Sequence, residues 1–212
     1  MTGRVYPTIG IDPGQRWIGV AARIDGRCLD AATLDRGRLP ARGEEHYIGQ
    51  PEVARASRLL EVVDVMMRRH LQAAEQAAEG WDVPRLDLPW RIAMEGIVVT
   101  GAWQGGRNNP AERIAKLTSL IDVAVVVGTV VAAFPGVVVV RPRKLGHRGH
   151  ARHGDILARL GPYPKELVGK RPRRFIASEH FQGERTHERA AWAVAGAAQL
   201  ARPLRAVETV PA

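Results

Sequence analysis

The stretch Thr8-Ile9-Gly10-Ile11-Asp12-Pro13-Gly14 decides how the rest of this 212-residue chain is read. A short apolar run climbs to a carboxylate, and Pro-Gly then forces a turn. The run predicts a buried strand with Asp12 at its end, where an acid sits at the edge of a sheet rather than inside it. Beyond the turn, Trp17 to Ile24 is β-rich, Asp25-Gly26 is a hairpin signal, and Arg27 to Leu34 returns as a third strand. The chain therefore opens as a three-stranded meander.

A loop rich in Gly, Pro and charge runs from Asp35 to Gln50, and Pro51 then suits the first position of a long helix. Val53, Ala56, Leu60, Val63, Met67, Leu71 and Ala74 recur at helical spacing and mark its buried stripe, with Arg55, Arg58, Glu61, Arg68 and Arg69 mostly off it. The pair Met66-Met67 is core packing. Trp90 to Val99 predicts the next strand, interrupted by Glu95. An unpaired carboxylate is costly in such surroundings, so either an Arg or Lys pairs with it or it binds metal at an open edge of the sheet.

Thr100 to Asn109 is polar and glycine-rich. Asn109 can cap a helix begun by Pro110, with Ile114, Leu117, Ile121 and Val125 as its buried face. Val137 to Val140 follows as an apolar strand. Strand, helix and strand in that order imply a right-handed crossover and a parallel pair. The last element, Thr186 to Ala201, is an Ala-rich helix with Ala190, Ala191, Val194, Ala195 and Ala198 on its apolar side, small enough to lie close against a sheet. His187 and Glu188 open that helix. The layout is α/β, and residues 1–212 form one domain with no internal repeats.

Composition fits this frame and narrows the partners. At 45% hydrophobic the chain can fill a core. Its 31 Lys and Arg against 22 Asp and Glu give +9, a field that concentrates polyanions, nucleic acid foremost. A general Arg richness of the sequence is the alternative, and where the charge sits must decide between the two; a basic run can also be a solvated loop with no partner. Between Arg141 and Arg174 eleven Lys or Arg and three His stand against only Asp155 and Glu166, the main part of a basic arm at about 141–180. Cys28 is the only cysteine, which rules out an internal disulfide and a cysteine zinc cluster. The opening residues lack an apolar signal region, and no apolar run reaches the roughly 18 residues that span a bilayer. The expected setting is a reducing cytoplasm, without a membrane.

Phosphodiester hydrolysis needs charge neutralisation at the phosphate, an activated water and a stabilised leaving group, which two Mg²⁺ ions about 4 Å apart supply together. Hard cations need clustered oxygen ligands. Adjacent strands lie about 4.8 Å apart, so Asp12 and Glu95 on neighbouring strands can converge on one site, closed by a helix beginning at His187 and Glu188.

Three segments carry a family resemblance. The run Ile9-Gly10-Ile11-Asp12-Pro13-Gly14 with Gly19-Val20-Ala21, then Ile92-Ala93-Met94-Glu95, then His187-Glu188-Arg189-Ala190-Ala191-Trp192-Ala193-Val194-Ala195 resembles the RuvC Holliday-junction resolvases of the ribonuclease H-like superfamily. The resemblance spans nearly the whole chain. It implies a ribonuclease H-like fold with a five-stranded mixed sheet flanked by helices, dependence on Mg²⁺ or Mn²⁺ as two ions, and a homodimer that nicks four-way junctions. Branched DNA, not a small molecule, is the implied substrate.

The last motif departs from the family, where an acid or His is followed three residues later by Asp. Here those places hold His187 and Ala190. The implied ligands are Asp12, Glu95 and Glu188, with Glu188 preferred over Glu184 as the replacement acid, and with His187 at the metals or as the group that orients and deprotonates water. Arg16, Arg107, Arg141, Arg143, Lys144, His147 and Arg148 are candidate phosphate contacts. Trp103 can stack on bases or be buried in the core. Actin-like ATPases and sugar kinases share the opening motif, but they need a second such domain and a second phosphate loop. Another ribonuclease H-like nuclease, such as a ribosomal-RNA processing enzyme, and a catalytically idle DNA-binding protein remain as alternatives.

Overall fold

The computed structural model describes residues 6–14, 17–35, 50–78, 90–97, 110–140, 163–168 and 186–200. Its elements are β1 (Thr8–Pro13), β2 (Trp17–Ile24), β3 (Arg27–Asp35), α1 (Gln50–Arg69), α2 (Leu71–Ala78), β4 (Arg91–Glu95), α3 (Pro110–Ala133), β5 (Val138–Val140), a 3-10 turn (Lys165–Leu167) and α4 (Thr186–Leu200). The strands form one sheet in the order β3-β2-β1-β4-β5. β1, β2 and β3 pair antiparallel, while β4 joins β1, and β5 joins β4, in parallel. This is the predicted five-stranded mixed sheet flanked by helices. The meander's first hairpin turns at Asp25 and Gly26, both at positive φ (47° and 79°), as a two-residue turn matched to strand twist requires.

The two faces of the sheet differ in side-chain size, and that difference positions everything else. Ile9, Ile11, Ile18, Val20, Ile92 and Met94 point to one face and are buried with Leu59, Val63, Met66 and Met67 of α1 and Val126 and Val130 of α3. Each such side chain contributes about 1.5–3 kcal/mol when fully withdrawn from water. The opposite face offers Gly10, Gly19, Ala21 and Ala93 instead, and α4 lies on it. A Cβ on Gly10 would stand 2.0 Å from the Ala191 carbonyl oxygen, so the helix backbone rests almost directly on the strand.

Four expectations are corrected. The single long helix is two, α1 and α2, separated at His70. Trp90 Nε1–H donates to the Met67 carbonyl at 3.1 Å, and that oxygen is the one Leu71 N–H would use in an unbroken helix. The buried face of α3 runs through Asp122, Val126 and Val130, whereas Leu117 and Ile121 are 50% and 46% exposed and Val125 is half-buried. From Leu120 to Val131 this helix is apolar on nearly every side, so spacing cannot select a face. Arg55, expected on the outer side of α1, is buried. The strand expected over Trp90 to Val99 stops at Glu95, with 98 and 99 outside the described residues. Among the described residues, no helix is long and apolar enough to cross a membrane.

Candidate functional site

β1 and β4 run side by side in a register whose last pair is Ile11 with Met94. One residue further, Asp12 and Glu95 stand next to each other at the carboxyl ends of two parallel strands. Alternation along a strand puts Asp12 on the face of Gly10 and Glu95 on the face of Ala93, both toward α4. Glu95 is in turn paired with Val140 of β5, and Gly96 N–H donates to the Val140 carbonyl at 2.8 Å, which fixes the strand end carrying the acid.

α4 runs antiparallel to β1. At its far end Gln199 Nε2 donates to the Tyr6 carbonyl at 2.8 Å, and at its near end His187 meets Asp12. His187 Nδ1–H donates to Asp12 Oδ2 at 2.9 Å. With the proton on Nδ1, Nε2 presents a lone pair, the arrangement in which a carboxylate orients an imidazole for proton transfer or metal ligation. The side chains of Asp12 and His187 keep 15% and 28% of their surface accessible, so the pair is open to solvent while held by the fold. His187 can sit there because Gly19, the cross-strand partner of Asp12, lets the first turn of α4 close on the sheet.

The flanks of α4 sort the remaining groups. Trp192 is buried with Ala21, Cys28 and Leu167, over β2 and β3. Val194 and Ala198 are buried with Ala93, near Val138 and Val140, over β4 and β5. Glu188, one turn before Trp192, shares the first flank and is fully buried; Ala190, one turn before Val194, shares the second. In the first turn of α4 that second flank thus carries only the methyl group of Ala190. Among the described residues, no three His, Cys, Asp or Glu side chains gather closely enough to hold a metal ion by themselves. Asp12 and Glu95, on neighbouring strand ends, are the two carboxylates that could take a hydrated divalent cation, since Mg²⁺ is commonly bound through one or two carboxylates and keeps several waters.

No protein-family model matches the chain, and no curated protein matches it. Solved structures do match it. RuvC of Thermus thermophilus in complex with a Holliday junction substrate is 18% identical, with a TM-score of 0.44 over 89% of this chain and 90% of that one. The Thermus thermophilus RuvC structure aligns over the same shares at 18% identity and a TM-score of 0.42. What the site can do follows from this chain's own side chains.

Of the residues expected from sequence, the fold joins Asp12 with His187 and sets Glu95 alongside, and it puts Glu188 on the other flank of α4. Arg16, Arg107, Arg141, Arg143, Lys144, His147, Arg148, Trp103 and Glu184 lie outside the described residues. One piece of the basic arm is described, around the turn Lys165–Leu167, and it is tied to α4. Leu167 is buried, Arg189 Nε–H donates to its carbonyl at 2.7 Å, and the Tyr163 ring sits 5.6 Å from that of Trp192. Burial pushes the Tyr163 phenol above its ordinary range, with the Arg189 charge opposing.

Arg55 is the residue that sequence reading missed. It reaches from α1 to donate, through Nη2, to the Gly14 carbonyl in the turn after Asp12. A stripe drawn through Leu59, Val63 and Met66, at four, eight and eleven residues beyond it, would have placed Arg55 on the buried side.

Proposed function

We propose that this protein is a divalent-metal-dependent nuclease that cleaves phosphodiester bonds in branched DNA, in the manner of a Holliday-junction resolvase. The observation that supports the reading most is the hydrogen bond from His187 Nδ1 to Asp12 Oδ2, formed where Glu95 on the next strand faces the same way. Asp12 and Glu95 would hold the cation, with Glu188, on the other flank of α4, as the proposed third acid. Bound Mg²⁺ or Mn²⁺ supplies neutralisation of the phosphate charge and activation of water.

The chain's own residues do the rest. Asp12 Oδ2 accepts the His187 proton and leaves Oδ1 for the cation. His187, oriented in this way, offers Nε2 to take a proton from the attacking water. The basic arm, anchored on α4 at Leu167 and Arg189, would bring its Lys and Arg side chains to the phosphates, with Arg16, Arg107, Arg141, Arg143, Lys144, His147 and Arg148 as the proposed contacts. A homodimer would let two such sites act on the two halves of a symmetric junction, and the exposed Leu117 and Ile121 of α3 are the apolar residues a second copy would cover.

The test offers the purified protein a four-way junction, a replication fork and a linear duplex with Mg²⁺, beside Asp12→Asn. Wild-type cutting that prefers branched DNA, abolished in the variant, is expected. Equal cutting by both proteins removes the site, and indifference to branching removes the resolvase reading. Ala190 supports a second reading, a branched-DNA-binding protein without catalysis, for which junction binding persists and no metal restores cleavage.

A further inference from the structure

We infer that Arg55 is a positioning residue of the site, acting through the Pro13-Gly14 turn to fix the pairing of Asp12 with His187. This rests on the reading of Asp12 and His187 as site residues. Arg55 leaves α1, on the bulky face of the sheet, and its guanidinium reaches the end of β1, where Nη2 donates to the Gly14 carbonyl. Only 7% of the residue is accessible. Burying a guanidinium is expensive, and a surface contact would not need it.

The turn that Arg55 grips is short and internally bonded. Gly14 N–H donates back to the Asp12 carbonyl at 3.0 Å, so a force on the Gly14 peptide is passed to the residue carrying the carboxylate. In the direction in which Gly14 would carry a Cβ, the Trp17 carbonyl oxygen stands at 2.3 Å and His187 Cε1 of α4 at 3.6 Å. The turn is thus gripped by Arg55 from α1 on one side and lies near the His187 ring of α4 on another. Neither helix need touch the other for α1 to determine where the Asp12 carboxylate meets the imidazole. A charge-assisted bond to a carbonyl is stronger than a neutral one, and it stops the turn from rotating its peptide away.

The inference separates Arg55 from a residue that only stabilises the fold. Selective ¹⁵N labelling of histidine reports which ring nitrogen of His187 carries the proton. Wild type is expected to give a single Nδ1–H form. Arg55→Gln should give a mixture of tautomers, and Arg55→Lys, which keeps one donor and the charge, an intermediate state. In cleavage assays kcat should fall by about 10- to 100-fold in Arg55→Gln, with KM for DNA nearly unchanged and partial recovery in Arg55→Lys. A wild-type tautomer pattern in a folded Arg55→Gln overturns the inference. If that variant does not fold, Arg55→Lys decides alone, and a wild-type pattern in it is equally decisive. Should the wild-type protein cleave no DNA while Arg55→Gln still scrambles the His187 tautomer, the nuclease reading fails and the positioning role stands.

Discussion

Gly19 lies so close to His187 that a Cβ on it would sit 2.0 Å from the His187 carbonyl oxygen and 2.4 Å from its carbon. The atoms in the way are backbone, and they cannot rotate aside. Gly19→Ala should therefore push the first turn of α4 off the sheet, lowering stability by about 1–3 kcal/mol in urea unfolding and separating His187 from Asp12. Gly10→Ala meets Ala191 and Ala195 in the same manner and should cost a similar amount. Wild-type unfolding midpoints in both would contradict this packing.

If Asp12 and Glu95 hold a cation as proposed, Ala190 on the second flank of α4 is where a further acid would serve it. Ala190→Asp should lower the Mg²⁺ concentration needed for half-maximal cleavage by about tenfold or more, because a further carboxylate adds a hard oxygen ligand. An unchanged or raised requirement would show that position 190 does not face the metal.

Glu188 and Glu184 can be told apart by rate. Glu188→Gln should cost about 100-fold in single-turnover cleavage, the upper end of what loss of a group supporting a metal site does, whereas Glu184→Gln should not. The reverse outcome reassigns the acid to Glu184.

Tyr163 gives a pH dependence whose sign follows from burial. Its phenol in the folded protein ionises above the ordinary value of 10.0. Below that value it is neutral whether the chain is folded or not, so its stabilising share is fully present. As pH rises past it, the unfolded chain ionises first, and that share is lost on approach to the folded pKa. Thermal unfolding of wild type should therefore weaken more steeply with alkaline pH than that of Tyr163→Phe. Parallel curves would count against the burial of the arm against α4.

The exposed apolar residues of α3 concern assembly. If a second copy covers Leu117 and Ile121, Ile121→Glu should shift sedimentation from dimer to monomer, with less than about 1 kcal/mol lost from the monomer's own stability, as expected for an exposed position. A wild-type protein that sediments as a monomer at all concentrations excludes that interface.

Much of this fold is legible in the sequence where a pattern has a single solution. The meander follows from the Asp25-Gly26 turn between two β-rich runs, and the parallel addition of β4 and β5 follows from the helix between them. The small residues of the last helix announce close packing, and the acids at Asp12 and Glu95 stand out against apolar runs. What is not legible arises where several solutions share one pattern. The apolar surface of α3 surrounds the helix, so its buried side depends on what α1 presents to it. Arg55 looks like a surface residue because long cationic side chains usually are, and its burial follows from a carbonyl 41 residues earlier in the chain. Glu188 is visible as an acid at a helix start, but its flank is settled only by where Trp192 lodges.

The bareness of one sheet face has a consequence for how this protein tolerates change. The spacing between strand and helix is set by hydrogen atoms at Gly10 and Gly19, so no smaller residue exists that could compensate for an enlargement elsewhere in that layer. A deep mutational scan should record these two positions as closed to every substitution, as strictly as Asp12, although neither carries a functional group. Their intolerance would be that of a bearing surface, where clearance matters and material does not.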